Sequence, residues 1–228
     1  MEQSLPVSRA AFWDGLYAGG NDGWELGGPA PALEHWLTSG GSFARRGAGA
    51  GPQSADTRPL VAVPGCGRGH DARLLARHGH RVFAFDFANA AVREAQRLAT
   101  AEGIEVSVEQ RDVFTLGGER AGAFDGVWEY TCFCAIDPAR RDEYVRVLHT
   151  ILRPGGLLLA CFYPMRDGTE GPPFPVARTD VDRALAGRFT VLEAGPPARF
   201  VERRRGLEWL VLARREDGAY KPRAERPG

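Results

Sequence analysis

The sequence predicts an α/β fold built on a mostly parallel sheet with helices on both faces. Apolar runs of β character alternate with helical patterns from residue 58 onward, which is the rhythm of helical crossovers between parallel strands. Those runs are apolar nearly throughout, as strands covered on both faces must be. A glycine-rich turn, VPGCGRGHD, directly follows the first run. The 228 residues suffice for one large domain, and 43% hydrophobic with 25% charged residues is an ordinary globular balance. Twenty-nine acids offset twenty-nine bases, so no net field draws the chain to nucleic acid or an anionic membrane. The predicted partner is a small molecule, with the protein a monomer or small homo-oligomer. No apolar run reaches about 18 residues, and the start MEQSLPVSRA lacks a basic stretch followed by an apolar one, which predicts a cytoplasmic protein.

The elements follow in order. Ser8 is positioned to cap a short helix through Phe12, Trp13 and Tyr17, stopped by Gly19-Gly20, and a second helix spans 31–38. Residues 39–57, rich in Gly, Ala and Ser, read as a mobile connection, so 1–57 form an N-terminal helical lid with its tether. The main body, 58–214, carries strands at 60–63, 82–85, 106–109, 124–128 and 157–163, with helices at 71–78, 89–101 and 139–152. A helix near 180–186 precedes two further strands, FTVLEA and LEWLVLAR, whose short connection suits a closing antiparallel hairpin. Residues 215–228 read as a frayed tail.

The chemistry starts at the glycine turn. Gly65, Gly67 and Gly69 permit a sharp turn and a close approach of ligand to main-chain N–H groups. The spacing is G-x-G-x-G, not the G-x-G-x-x-G of a pyrophosphate site. Asp86 closes the second strand, 21 residues after Gly65, where a carboxylate can accept both hydroxyls of a ribose. Asp112 follows the third strand, placed either to accept from an adenine amine, with Val113 and Phe114 flanking the base, or merely to cap a turn. Lys221 is the sole lysine, so Schiff-base, Tyr-xxx-Lys and P-loop chemistries lack a candidate. Cys66, Cys132, Cys134 and Cys161 form no C-x-x-C pair, no grouped histidines accompany them, and no metal site is predicted.

With these residues in place the chain resembles a class I S-adenosylmethionine-dependent methyltransferase. The runs VPGCGRGHD, EYTCFCAIDP, LRPGGLLLACFYP and GPPFPV look like the thiopurine S-methyltransferase superfamily, particularly its thiol and halide methyltransferase-like members. The resemblance covers roughly residues 12–213 and departs at Tyr17, where tryptophan is usual, and at Cys132, where an aromatic is common. It implies a Rossmann-like fold with a seven-stranded sheet, and S-adenosyl-L-methionine as methyl donor, leaving S-adenosyl-L-homocysteine. It also implies that Trp13, Tyr17 and Trp24 lie over the methionine end and that Gly65, Cys66 and Gly67 lie beneath it. Asp86 then meets the ribose, Asp112 and Val113 the adenine, with Phe87 also at the cofactor and Tyr130 after the fourth strand. A sulfonium has no N–H donors, and aromatic faces are a natural way to hold such a cation.

Methyl transfer is an in-line displacement for which positioning does much of the work. A soft anion such as a thiolate, hydrosulfide, halide or thiocyanate is already a nucleophile at neutral pH, or nearly so, since thiol pKa values lie at ~8.5, and no dedicated base is then required. Candidate walls for it are Phe133, Phe162 and Phe174, with Tyr130 and Tyr163 orienting the anion. An alcohol or phenol would need a base. His70 reads more simply as a helix-start residue and Asp137 as a cap before Pro138; Arg166, Arg178 and Arg199 flank the proposed mouth. The sequence therefore predicts an S-methyltransferase without an enzyme base. The rivals are an O- or N-methyltransferase with one, a nicotinamide-dependent oxidoreductase, and a non-catalytic S-adenosylmethionine-binding regulator.

Overall fold

The computed structural model describes residues 6–44 and 57–216. Its centre is a seven-stranded sheet of order β3-β2-β1-β4-β5-β7-β6. The strands are β1 (Leu60–Pro64), β2 (Arg81–Asp86), β3 (Ser107–Gln110), β4 (Phe124–Tyr130), β5 (Leu152–Phe162), β6 (Phe189–Gly195) and β7 (Trp209–Arg215). The first five run parallel; β7 inserts antiparallel between β5 and β6, so the predicted closing hairpin is present. The helices are α1 (Ala10–Ala18), α2 (Pro31–Thr38), α3 (His70–Arg77), α4 (Asn89–Ala101), α5 (Leu116–Glu119), α6 (Arg141–Ile151) and α7 (Arg178–Leu185). No helix among the described residues is long and apolar enough to cross a membrane.

Alternation along the strands explains why both faces are covered. Val61, Val63, Trp128, Leu159 and Cys161 point into a core shared with Leu33 and Leu37 of α2 and Leu75 of α3. Their neighbours Ala62, Val127, Leu158 and Ala160 point the other way, toward Tyr144, Leu148 and Ile151 of α6. The helices themselves follow from their stripes: α4 buries Ala91, Val92, Ala95 and Ala99, and α2 opens with Pro31, whose fixed φ suits a first turn that needs no N–H from it.

Several details differ from the expectation. Ser8 caps nothing: it belongs to a single 3-10 turn, Pro6–Ser8, and Arg9 takes the N-cap position without a side-chain bond. The stretch after β3 forms a 3-10 turn and the short α5, too brief for periodicity to reveal. β7 continues through Arg215, because Phe189 of β6 pairs with it. Most of the expected tether, 45–56, and of the tail, 217–228, lies outside the described residues.

The N-terminal segment is fastened across the carboxyl ends of the strands. Asp14 of α1 accepts from the Ala90 amide at 2.9 Å. The half-buried Asp71 accepts from the Ala30 amide and from Trp128 Nε1, both at 2.7 Å. Arg68 pairs with Asp22 at 2.6 Å, and Arg203 and Arg204 donate to the carbonyls of Glu25 and Trp24.

Candidate active site

Strand order reverses between β1 and β4, and in open α/β sheets the crevice outside such a switch point is where ligands bind. A cavity of about 540 Å³ opens there, under the N-terminal segment. All eleven residues expected at the cofactor line it: Trp13, Tyr17, Trp24, Gly65, Cys66, Gly67, Asp86, Phe87, Asp112, Val113 and Tyr130.

The turn after β1 is built for close approach. Gly65 and Gly67 sit at φ +62° and +53°, where side chains are strained; a Cβ on Gly65 would lie 2.8 Å from Cys132 Cβ, and one on Gly67 3.2 Å from Tyr17 Oη. Asp86 is buried, with Oδ2 accepting from the Gly67 amide at 2.8 Å and Oδ1 from the Ala88 amide at 2.9 Å. Burial pushes its carboxyl up, opposed by those amides. Each oxygen keeps a lone pair for a hydroxyl in the cavity. Asp112 does what the blander reading allowed, capping a 3-10 turn by accepting from the Phe114 amide at 3.0 Å, and it also lines the cavity.

The aromatic cluster forms a roof. Trp24 stands edge-on to Trp13 and Tyr17, with ring centroids 5.6 and 5.5 Å apart. Trp24 Nε1 donates to Tyr17 Oη at 3.3 Å, and Trp13 Nε1 to the Val7 carbonyl at 2.9 Å, so both indoles are held in place. Glycine cradle, two carboxylates at neighbouring strand ends and an aromatic roof fit the turn-side, ribose, base and sulfonium parts of S-adenosylmethionine respectively.

The acceptor side corrects three expectations. Tyr163 lines the cavity, but Phe133, Phe162 and Phe174 do not; they are buried behind it. Phe133 and Phe162 stack edge to face at 5.1 Å, and the Phe174 segment is tied down by its amide donating to the Cys134 carbonyl at 2.7 Å. Arg166, Arg178 and Arg199 also lie off the cavity, Arg178 covering the Trp209 ring at 3.8 Å. His70 and Asp137 reach the cavity wall already engaged. His70 Nδ1 accepts from Arg73 at 3.0 Å, which leaves the proton on Nε2 to donate to Glu25 at 3.1 Å. Burial works against ionising Glu25, yet His70, the Gly27 amide and Arg68 together hold its carboxyl down at about 2. Asp137 caps a 3-10 turn through the Ala139 amide at 2.9 Å.

Two residues that sequence reasoning missed stand behind Tyr130. Arg204, on the loop before β7, donates to Tyr130 Oη at 2.5 Å and covers the Tyr163 ring at 4.3 Å. Glu208 accepts from Tyr130 Oη at 2.5 Å. Both are almost fully buried. The pairing of Phe162 with Trp209 in the β5–β7 register is the signal that could have found them, since it brings residue 208 alongside the end of β4.

Fold and cavity together define a Rossmann-like methyltransferase, a strand-end donor pocket roofed by aromatic side chains. A family profile described as Thiopurine S-methyltransferase matches residues 8–220. The chain belongs to the thiopurine S-methyltransferase family and is an S-adenosylmethionine-dependent methyltransferase. It is 29% identical over 183 residues to the probable thiol methyltransferase 2 of Arabidopsis thaliana, covering 79% of this chain and 74% of that protein. Against thiocyanate methyltransferase 1 of Brassica oleracea the identity is 27% over 177 residues, covering 76% and 70%. Among solved structures, Burkholderia thailandensis 1,6-didemethyltoxoflavin-N1-methyltransferase, with its ligand and S-adenosylhomocysteine bound, superposes with a TM-score of 0.68. That likeness, at 24% identity over 95% of this chain and 93% of the other, is one of fold.

Proposed function

We propose that the acceptor is a small thiol, methylated on sulfur. The observation that carries this reading is the acceptor end of the cavity, where the Tyr130 hydroxyl and the Arg204 guanidinium meet beside the Tyr163 ring. Glu208 balances the guanidinium and takes the Tyr130 proton, which leaves a Tyr130 lone pair among aromatic faces, an arrangement that suits a small neutral thiol stripped of most of its water. A polyanionic acceptor would leave its charges unpaired there. The bound donor supplies an electrophilic methyl group on a sulfonium. The protein positions the acceptor sulfur against it, excludes water with the Trp13, Tyr17 and Trp24 roof, and holds the turn beneath by the Gly67 amide bond to Asp86. The similarity to a thiol and a thiocyanate methyltransferase supports the same acceptor class. Four free cysteines suit a reducing, cytoplasmic compartment.

The test is a panel of acceptors of one shape that differ in the reacting atom. A small thiol should turn over with kcat/KM at least about a hundredfold above its phenol or alcohol counterpart, since the latter ionise so much less readily. Comparable rates for the oxygen acceptors would overturn the reading.

A further inference from the structure

Tyr130, Arg204 and Glu208 form a chain with one consistent assignment of protons. Arginine only donates and a carboxylate only accepts, so the single hydroxyl proton of Tyr130 goes to Glu208 Oε1 and the Arg204 N–H goes to Tyr130 Oη, both at 2.5 Å. One lone pair of Oη remains for a donor in the cavity, which Tyr130 lines. Glu208 lies behind it, its side chain 2% exposed, with Arg204 Nη1 at 3.9 Å from Oε1. Such short O–H···O⁻ bonds are charge-assisted and strong, and a proton moves within them over a very small distance.

We propose that Tyr130 is a catalytic residue that takes the S–H proton of the acceptor thiol and relays its own proton to Glu208. This rests on the S-methyltransferase reading and supplies the base that the sequence lacked. As the acceptor's S–H proton passes to Tyr130 Oη, the Tyr130 proton passes to Glu208 Oε1. The electron pair freed on sulfur forms the S–CH₃ bond while the bond from that methyl to the donor sulfonium breaks. The donor's sulfonium and the Glu208 carboxylate become a neutral thioether and a neutral acid, and Arg204 remains the one cation there, its N–H groups held by Tyr130 Oη and the Trp24 carbonyl. The acid returns its proton to water by way of Tyr130 once products leave. Arg204 acts through Tyr130 as a positioning residue. It fixes the hydroxyl and offsets negative charge on Oη, while its other arm holds the Trp24 carbonyl at 3.0 Å and so joins relay to roof.

The charged and titratable neighbours agree with this assignment. Around Glu208 stand Arg204 from its own loop, Tyr130 from β4, and Cys161 from β5, a thiol that burial keeps neutral. Burial lifts the Glu208 carboxyl above the ordinary range, against the pull of Tyr130, Arg204 and the Val201 amide. A carboxylate raised in this way accepts a thiol proton more readily than an exposed one.

The experiment compares the wild type with Glu208→Gln and Tyr130→Phe, using a thiol of pKa near ~8.5. For the wild type kcat/KM should be flat from about pH 6.5 up to the thiol's own pKa, because the enzyme removes the proton. For Glu208→Gln it should be lower by about a hundredfold at neutral pH and rise tenfold per pH unit, following free thiolate. Should Glu208→Gln fail to bind S-adenosylhomocysteine as the wild type does, Tyr130→Phe carries the comparison. A readout independent of turnover is the strongly downfield proton resonance of a short O–H···O⁻ bond in the free protein, present in the wild type and absent from both variants. A wild-type rate that climbs with thiolate concentration, parallel to Glu208→Gln, overturns the relay whatever the variants do. A wild type that binds S-adenosylmethionine but methylates no thiol at any pH overturns the S-methyltransferase reading itself, and the relay with it.

Discussion

Asp86 shows how one side chain serves both the fold and the ligand. Its two oxygens already hold the Gly67 and Ala88 amides, fixing the glycine turn against the end of β2, and each retains a lone pair toward the cavity. Replacing it with alanine would remove charge-assisted acceptors from the ribose and orphan two buried amides. Asp86→Ala should therefore weaken S-adenosylmethionine binding by roughly 2 to 4 kcal/mol, and Asp86→Asn, which keeps one acceptor, by less. Calorimetric titration measures both, and a dissociation constant within about threefold of wild type for Asp86→Ala would remove it from the donor site. The sequence made Asp86 legible because its position at a strand end next to a glycine turn is a local pattern. Glu208 and Arg204 were not legible, because they reach Tyr130 from 78 and 74 residues away; Arg204 sits in an ERRRG run that reads as a solvated charge cluster, and Glu208 at the start of the strand run LEWLVLAR. Glu129 belongs to the same class. Its buried carboxylate accepts from the Phe133 amide and Tyr144 Oη, both at 2.9 Å, and burial pushes it up to about 7 against those bonds. It staples the loop after β4, where Thr131 takes a positive φ of 65°.

Helices with a wide apolar stripe were the easiest elements to read: α2 and α4 fall at 31–38 and 89–101, as their periodicity predicts. The parallel strands were legible from continuous apolar runs, though their ends were not, since β4 continues through Glu129 and Tyr130 and β5 begins at Leu152. The phenylalanines at 133, 162 and 174 were misplaced for a related reason. An aromatic next to a site motif can face either way, and strand alternation sends Phe162 into the α6 core while Cys161 faces the other. The N-terminal segment is a different case. Its α2 is anchored in the core by Leu33 and Leu37, whereas α1, none of whose residues is fully buried, and the loop after it cover the cavity through a few polar contacts, chiefly Asp14 to Ala90, Arg68 to Asp22 and His70 to Glu25. Contacts of this kind are individually modest, so this part should open and close as a lid that a bound donor stabilises. Hydrogen exchange in residues 8–28 should slow when S-adenosylhomocysteine binds, whereas unchanged protection would make this part ordinary packing.

Taken together, sheet order, glycine turn and aromatic roof enclose a cavity at the strand ends that also takes in the Tyr130 hydroxyl and the Arg204 guanidinium. The balanced charge of the chain fits this arrangement, because a small acceptor reaches the site by diffusion and needs no steering field. The choice of sulfur over oxygen follows from how little basicity a buried carboxylate behind a tyrosine can supply. It is enough for a thiol, whose pKa lies near ~8.5, and short of what an alcohol would need. The most direct measurement puts both nucleophiles in one molecule. A mercaptophenol is incubated with the protein and S-adenosylmethionine carrying an isotopically labelled methyl, and the product is analysed by mass spectrometry and NMR. The label should appear on sulfur alone, as the aryl methyl thioether, with one S-adenosylhomocysteine formed per label transferred. Label on the phenolic oxygen, as the aryl methyl ether, would contradict the assignment of this site to sulfur.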